Sequence, residues 1–179
     1  MKSVLYLALS FLYFSCIPIR IAPNIETDKV MMGKKFKRQL PKRNAFIFQD
    51  PKDANAFYNY INTKFELQHT DVESNVYFMI DEEAYYFSFY EVEIPTKTIN
   101  LVPILIDAKR VQNDNYPLFE NAYASRKNHW YLAITVSDDN FNDCLKSEHR
   151  KHKKILTFLR ELKYEYLNTD NYLEVLFKK

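Results

Sequence analysis

The period of hydrophobic and polar positions changes several times along this chain, and each change predicts an element. Residues 4–14, "VLYLALSFLYF", form an apolar run broken by one serine and followed by Ser15-Cys16. Residues 17–28, "IPIRIAPNIETD", carry two prolines and no helical period, which predicts an extended tether. A short apolar block, "NAFIFQ" at 44–49, predicts a buried strand, and "DPKDANAFYNYINTKF" behind it predicts a helix. Asp50 is placed to cap that helix, Pro51 suits its first position and Asp53 fits the acid of a capping box. Ala54, Phe57, Tyr58, Ile61 and Phe65 then follow the helical period.

Alternation takes over next. "NVYFMI" (75–80) and "AYYFSFYEVEI" (84–94) flank Asp81-Glu82-Glu83 and predict a hairpin built without glycine. In its second strand, Tyr86, Ser88, Tyr90, Val92 and Ile94 line one face, and Tyr85, Phe87, Phe89, Glu91 and Glu93 the other. "INLVPILIDA" (99–108) and "HWYLAITVS" (129–137) predict two further strands, with Pro103 favouring an edge or a bulge in the former. From Ile155 onward Phe158, Leu159, Leu162 and Tyr166 form a helical stripe, with Arg160, Glu161, Lys163 and Glu165 off it. "DNYLEVLF" (170–177) predicts a short second helix. Strands that follow one another without intervening helices predict an α+β fold. The expected form is a mostly antiparallel sheet of about four to five strands, with one helix after the first strand and C-terminal helices packed on it.

Composition narrows the chemistry. At 179 residues, 47% of them hydrophobic, the chain is long enough for one compact domain with a core, expected over 44–179. Gly33 is the single glycine, so turns fall to Asn, Asp and Pro. The same scarcity excludes glycine-built phosphate loops, dinucleotide fingerprints and nucleophile elbows in their usual form. With 14 Tyr and 14 Phe, aromatic rings are expected to supply much of the core.

Net charge is +2, too mild to imply nucleic acid, and no nucleic-acid partner is expected. Locally the charge is lopsided: residues 29–43 hold seven basic residues and no acid, whereas 50–100 hold three Lys/Arg against ten Asp/Glu. Lys34, Lys35, Lys37, Arg38, Lys42 and Arg43 are thus candidate contacts to an anionic surface.

The N-terminus has the features of an export signal: Lys2 gives a positive start, and an eleven-residue apolar run follows at 4–14. Spanning a bilayer takes about 18–20 apolar residues, more than this run supplies. Bacterial lipoprotein signals place a small residue before a cysteine that is acylated and becomes the first residue after cleavage. Ser15-Cys16 resembles such a lipobox, although Tyr13 and Phe14 replace the aliphatic and small residues of the usual pattern. The expected organisation is a signal peptide over 1–15, an acylated Cys16 with a tether and basic segment over 16–43, and the domain over 44–179. With Cys16 acylated, Cys144 has no disulfide partner and reads as a small buried apolar residue rather than a nucleophile.

Several arrangements invite chemistry, and each has a plainer explanation. Asp138, Asn140 and Asn142 match the opening of a calcium loop, but its glycine position holds Asp143 and its closing glutamate position holds His149. Capping of a following helix by Ser137, Asp138 or Asp139 accounts for the same residues. Glu91 and Glu93 share a strand face as an acid/base pair would, and as a solvated strand does. His149 and His152 lie one helical turn apart, but Arg150, Lys151, Lys153 and Lys154 would oppose a cation there. His69 and His129 stand alone. No metal and no cofactor are expected. Tyr85, Tyr90, Trp130 and Tyr131 fit a sugar-stacking platform or, more simply, a core.

Taken together, the lipobox at Cys16, "IPIRIAP", "KKFKRQLPKR", "DPKDANAFYNYINTKF", "EIPTKTIN", "WYLAITVSD" and "EYLNTDNYL" resemble small lipoproteins of the Bacteroidota type, over nearly the entire chain. That group offers no established activity to carry over; the resemblance implies a location. Surface-exported members carry acidic residues just after the cysteine, and "IPIRIAP" has none, which implies a periplasm-facing protein. The expected role is non-catalytic, binding an envelope protein or polymer from an acyl anchor in the membrane. A hydrolase of an envelope polymer and a glycan-binding module are the alternatives.

Overall fold

A computed structural model describes residues 16–169. Eleven elements follow in order: β1 (Cys16–Arg20), β2 (Lys29–Met32), α1 (Gly33–Phe36), β3 (Asn44–Asp50), α2 (Ala56–Lys64), β4 (Val76–Ile80), β5 (Glu83–Asn100), α3 (Leu101–Gln112), a 3-10 turn (Glu120–Ala122), β6 (Ala124–Asp138) and α4 (His152–Asn168). The fold is α+β, with strand order β1-β5-β6-β3-β2 and β4 also on β5. The pairings β1–β5, β2–β3, β3–β6 and β4–β5 are all antiparallel. The described chain divides into two compact units, a larger one of residues 25–92 and 130–169 and a smaller one of residues 16–24 and 93–129.

In the larger unit, β3 buries Ala45, Phe46, Ile47 and Phe48 in succession, and β6 does the same from Tyr131 to Val136 except for the slightly more open Thr135. Both are continuous apolar runs because both of their faces are covered. Helix α4 lays Ile155, Leu159, Leu162 and Tyr166 into that core, and α2 adds Phe57, Tyr60 and Ile61. Aromatic edges organise the centre: Phe57 meets Phe89 at 4.8 Å and Tyr166 at 4.9 Å between ring centroids, both nearly perpendicular. The aromatic core expected from composition is present.

The hairpin turn shows how a chain with one glycine turns. Asp81 (φ 51°) and Glu82 (φ 65°) both take the left-handed conformation, as a two-residue turn matched to strand twist requires. Asn55, Asp71, Asn75 and Asp114 take it elsewhere, which fits their tolerance for positive φ. Glu66, Gln68, His69 and Phe141 take it as well, so the burden extends beyond Asn and Asp.

Gly33 is needed for space, not for backbone freedom. A Cβ there would lie 3.0 Å from the Pro41 carbonyl oxygen and 3.2 Å from Leu40 Cβ. Gly33 N–H donates to Arg43 O (2.8 Å) and Lys34 N–H to Pro41 O (3.1 Å), so this loop cannot retreat cheaply. Gly33→Ala is expected to destabilise the larger unit by about 1–2 kcal/mol. Urea denaturation would show it, and an unchanged midpoint would mean that the loop gives way.

Four expectations are corrected. The segment over 16–43 is not merely tether and basic foot, since it supplies β1, β2 and α1. Residues 101–108 are helical, not a strand: Asn100 Oδ1 caps Val102 N–H at 3.3 Å, and Pro103 sits in the first turn, where its missing N–H costs no bond. Helix α2 begins at Ala56 and not beside Asp50, which ends β3 and accepts from Lys52 N–H instead. No helix follows Asp138 directly, so Ser137, Asp138 and Asp139 do not cap one. The helix expected over 170–177 lies outside the described residues.

Candidate functional site

Three places in the described chain combine exposure or cavity with unusual chemistry, and they are built differently. The first is helix α3 of the smaller unit, which has its polarity reversed. Its buried positions are Pro103 and Asp107, while Leu101, Leu105, Ile106 and Val111 are exposed, Leu105 to 66%. A surface helix normally does the opposite. Asp107, only 1% exposed, accepts from Leu118 N–H (2.9 Å), Phe119 N–H (2.7 Å) and Tyr123 OH (2.9 Å). Burial alone would raise its pKa, but these three donors and the Arg110 charge hold it below the usual carboxylate range. The carboxylate thus ties the segment after α3 to the helix while the apolar side is left outward.

Cys16 belongs to the same unit. It opens β1 and pairs in register with Asn100, the residue that caps α3. Ile17, Ile19 and Ile21 follow it and are all exposed. No helix among the described residues is long and apolar enough to cross a membrane.

The six basic candidates lie in the larger unit. Lys34, Lys35, Arg38 and Lys42 are exposed, and Lys37 and Arg43 are half-buried. Leu40 is buried and Phe36 meets the Tyr131 ring edge-on at 5.2 Å, so the segment is folded with its cations outward.

The third place is a polar cavity of about 420 Å³ between the β4–β5 turn and the loop from β6 to α4. Glu82, Glu83, Asp138 and Asp139 line it together with His149 and Arg150. Arg150 pairs with Glu83 at 2.6 Å, Lys154 with Asp81 at 2.6 Å, and Lys151 also with Asp81. The cations expected to repel a metal at His149 are therefore largely engaged by the turn. Pairing with Lys151 and Lys154 lowers the Asp81 pKa to about 2.

Beside this cavity, one donor atom each from Asp138, Cys144 and His149 lies within 4.8 Å of the others. His152 is not part of the group; its Nδ1 is buried without a hydrogen-bond partner. Cys144 is fully buried, as its sequence context suggested. Burial and the nearby Asp138 and Asp143 charges push its thiol up to about 12, which rules out a ready thiolate nucleophile. Four residues separate Cys144 from His149 on an irregular loop, and Asp138 joins them from the end of β6.

Glu91 and Glu93 stand two positions apart on β5, on either side of the buried Val92, and Glu93 is 3.9 Å from Arg126. Burial raises the pKa of Asp50, and burial together with the Asp50 charge raises that of Glu91. The space they share with Lys52 and Trp130 is only about 10 Å³, too small for a substrate. Tyr85 and Tyr131 are buried and offer no stacking face, while Trp130 is exposed. His69 stacks on Tyr58. A broader depression of about 840 Å³ runs along α4, and most of its charges are paired internally, Asp28 with Arg160 and Lys163, and Glu165 with Lys64.

No family model matches the chain, and no curated protein or solved structure matches it either.

Proposed function

We propose that this protein is a periplasm-facing envelope lipoprotein, acylated at Cys16, with a non-catalytic binding or accessory role toward an envelope protein or polymer. The observation that carries the reading is the register of Cys16 with Asn100, which sets the candidate acylation point beside the start of a helix with an apolar outer face. An acyl chain alone holds a membrane marginally and needs a second contact. Leu101, Leu105 and Val111 would supply it in the bilayer, burial of each apolar side chain contributing on the order of 1.5–3 kcal/mol when complete. In the larger unit, the exposed Lys34, Lys35, Arg38 and Lys42 are separate candidates for contact with an anionic surface, each worth about 1 kcal/mol near one.

Expressed in a bacterium with two membranes, the wild-type chain is expected in the membrane fraction with a diacylglyceryl mass on its first residue, Cys16. Cys16→Ala is expected in the soluble fraction. A soluble, unmodified chain starting at Met1 would overturn the placement.

The polar cavity favours a second reading, hydrolysis of an envelope polymer, because His149 stands there among four carboxylates. Release of soluble fragments from an envelope-polymer preparation, abolished by His149→Gln, would support it; a wild-type protein that releases none would remove it.

A further inference from the structure

We infer that Asp138, Cys144 and His149 form a zinc site with three protein ligands and one open position facing the polar cavity. The inference concerns the larger unit alone and is independent of the acyl anchor.

The donor set selects the metal. A thiolate, an imidazole and a carboxylate together suit a borderline-soft divalent ion, whereas calcium and magnesium take oxygen donors. In a tetrahedral zinc site with bonds of about 2.0–2.3 Å, donors stand roughly 3.3–3.7 Å apart. The three atoms already lie within 4.8 Å of one another, so small rotations close the site.

Each donor has capacity to spare. Asp138 accepts from Asn140 N–H (3.0 Å) and Asn142 N–H (2.9 Å) on Oδ1, and from Asn142 Nδ2 (2.9 Å) on Oδ2. A carboxylate offers about four lone-pair positions, which leaves one on Oδ2 while the other bonds hold the group in place. The same bonds explain why the calcium-like spacing fails, since Asn142 turns its side chain to Asp138. Cys144 Sγ meets Asn142 O at 3.5 Å and the Asp138 backbone amide, and its own backbone is pinned by N–H donation to Val136 O at 3.1 Å. His149 Nδ1 accepts from Lys151 N–H at 3.3 Å, long for such a bond, so either ring nitrogen can take a cation at little cost.

The surroundings supply the rest. Asp138 and His149 line the cavity, and the buried Cys144 does not, so a metal held by all three would present its fourth position to the cavity. Four carboxylates line that space against one arginine that Glu83 already engages, which favours a bound cation. Three protein ligands plus water is the pattern of reactive rather than structural zinc. On loading, the Cys144 S–H bond breaks, the sulfur pair forms the zinc bond and the proton leaves to solvent.

Cobalt(II) tests this, because it takes the same site and reports its ligands by absorption. The full chain carrying Cys16→Ala, so that Cys144 is its one thiol, is stripped of metal and titrated with cobalt(II). One equivalent is expected to give tetrahedral visible bands and a thiolate-to-cobalt charge-transfer band, both displaced by one equivalent of zinc. Cys144→Ala is expected to lose the charge-transfer band, and His149→Gln and Asp138→Asn each to weaken cobalt binding at least tenfold. Circular dichroism identifies any variant that has unfolded, and the half-exposed His149 makes His149→Gln the variant most tolerant of change. A folded parent chain that gives no band, or a folded His149→Gln chain that binds as tightly as its parent, overturns the proposal.

Discussion

Phe57→Ala is expected to cost the larger unit about 3–5 kcal/mol, the range for removing a buried phenylalanine ring. The ring is fully buried and meets four others: Phe89 at 4.8 Å, Tyr166 at 4.9 Å, Tyr60 at 5.9 Å and Phe48 at 6.4 Å. Those partners come from β5, α4, α2 and β3, so one side chain fills the gap where four elements converge. Alanine would leave a hole that no single neighbour can close, and aromatic pair contacts of about 0.5–1.5 kcal/mol each would go with it. Against a typical total of about 5–15 kcal/mol, much of the stability is at stake. Phe57→Leu keeps most of the volume and should cost under about 1.5 kcal/mol. Urea unfolding of both variants decides the matter: equal, small losses would show that Phe57 is not the hub its contacts make it.

The second large effect is local. Asp107→Ala is expected to free the segment after α3 from the helix, with amide hydrogen exchange at Leu118 and Phe119 rising to the rate of an open loop. Both N–H groups donate to that carboxylate, and Tyr123 OH joins them. Once the carboxylate is gone, its donors have to find water. The same contact gives a pH signature in the wild type. The folded pKa of Asp107 lies below its ordinary value of 3.8, so the folded state binds fewer protons there than the unfolded state. Its contribution is therefore complete above the ordinary value and is lost as pH falls through the lower, folded one. Protection of Leu118 and Phe119 that is already lost while the pH is above the ordinary value would contradict this assignment.

Much of the fold is legible in the sequence wherever one signal acts alone. The stripe Ile155, Leu159, Leu162 and Tyr166 is a helical face and is buried as one. The alternation of Tyr85, Phe87 and Phe89 about Asp81-Glu82 is a hairpin face and is buried as one. That alternation then changes phase, with Val92 and Ile94 buried instead, at the point where β5 passes from the larger unit to the smaller. Strand period cannot show which face is covered at each end, because covering is done by distant residues.

Residues 101–108 are helical against the strand pattern for a related reason. Apolar positions on both faces and a proline fit an edge strand, yet the Asn100 cap and the first-turn place of Pro103 make a helix equally consistent. Helices are ordinarily recognised by burying their apolar side, and α3 exposes it, so the usual pattern was of no help. The candidate metal group was still less legible. Cys144 and His149 meet through an irregular loop shaped by the Asp138 hydrogen bonds and a left-handed Phe141.

By itself the sequence determined what depends on neighbours along the chain: the α+β class, the hairpin, the aromatic core, the C-terminal helical face and the exclusion of glycine-built phosphate sites. Tertiary structure alone decided what depends on distant residues. It set Cys16 against Asn100, turned the apolar side of α3 outward, paired Lys151 and Lys154 with Asp81, and brought Asp138, Cys144 and His149 together. The physical reason is the reach of the forces involved. Periodicity and capping act within a few residues, whereas burial, charge pairing and ligand convergence act between segments that only folding makes neighbours.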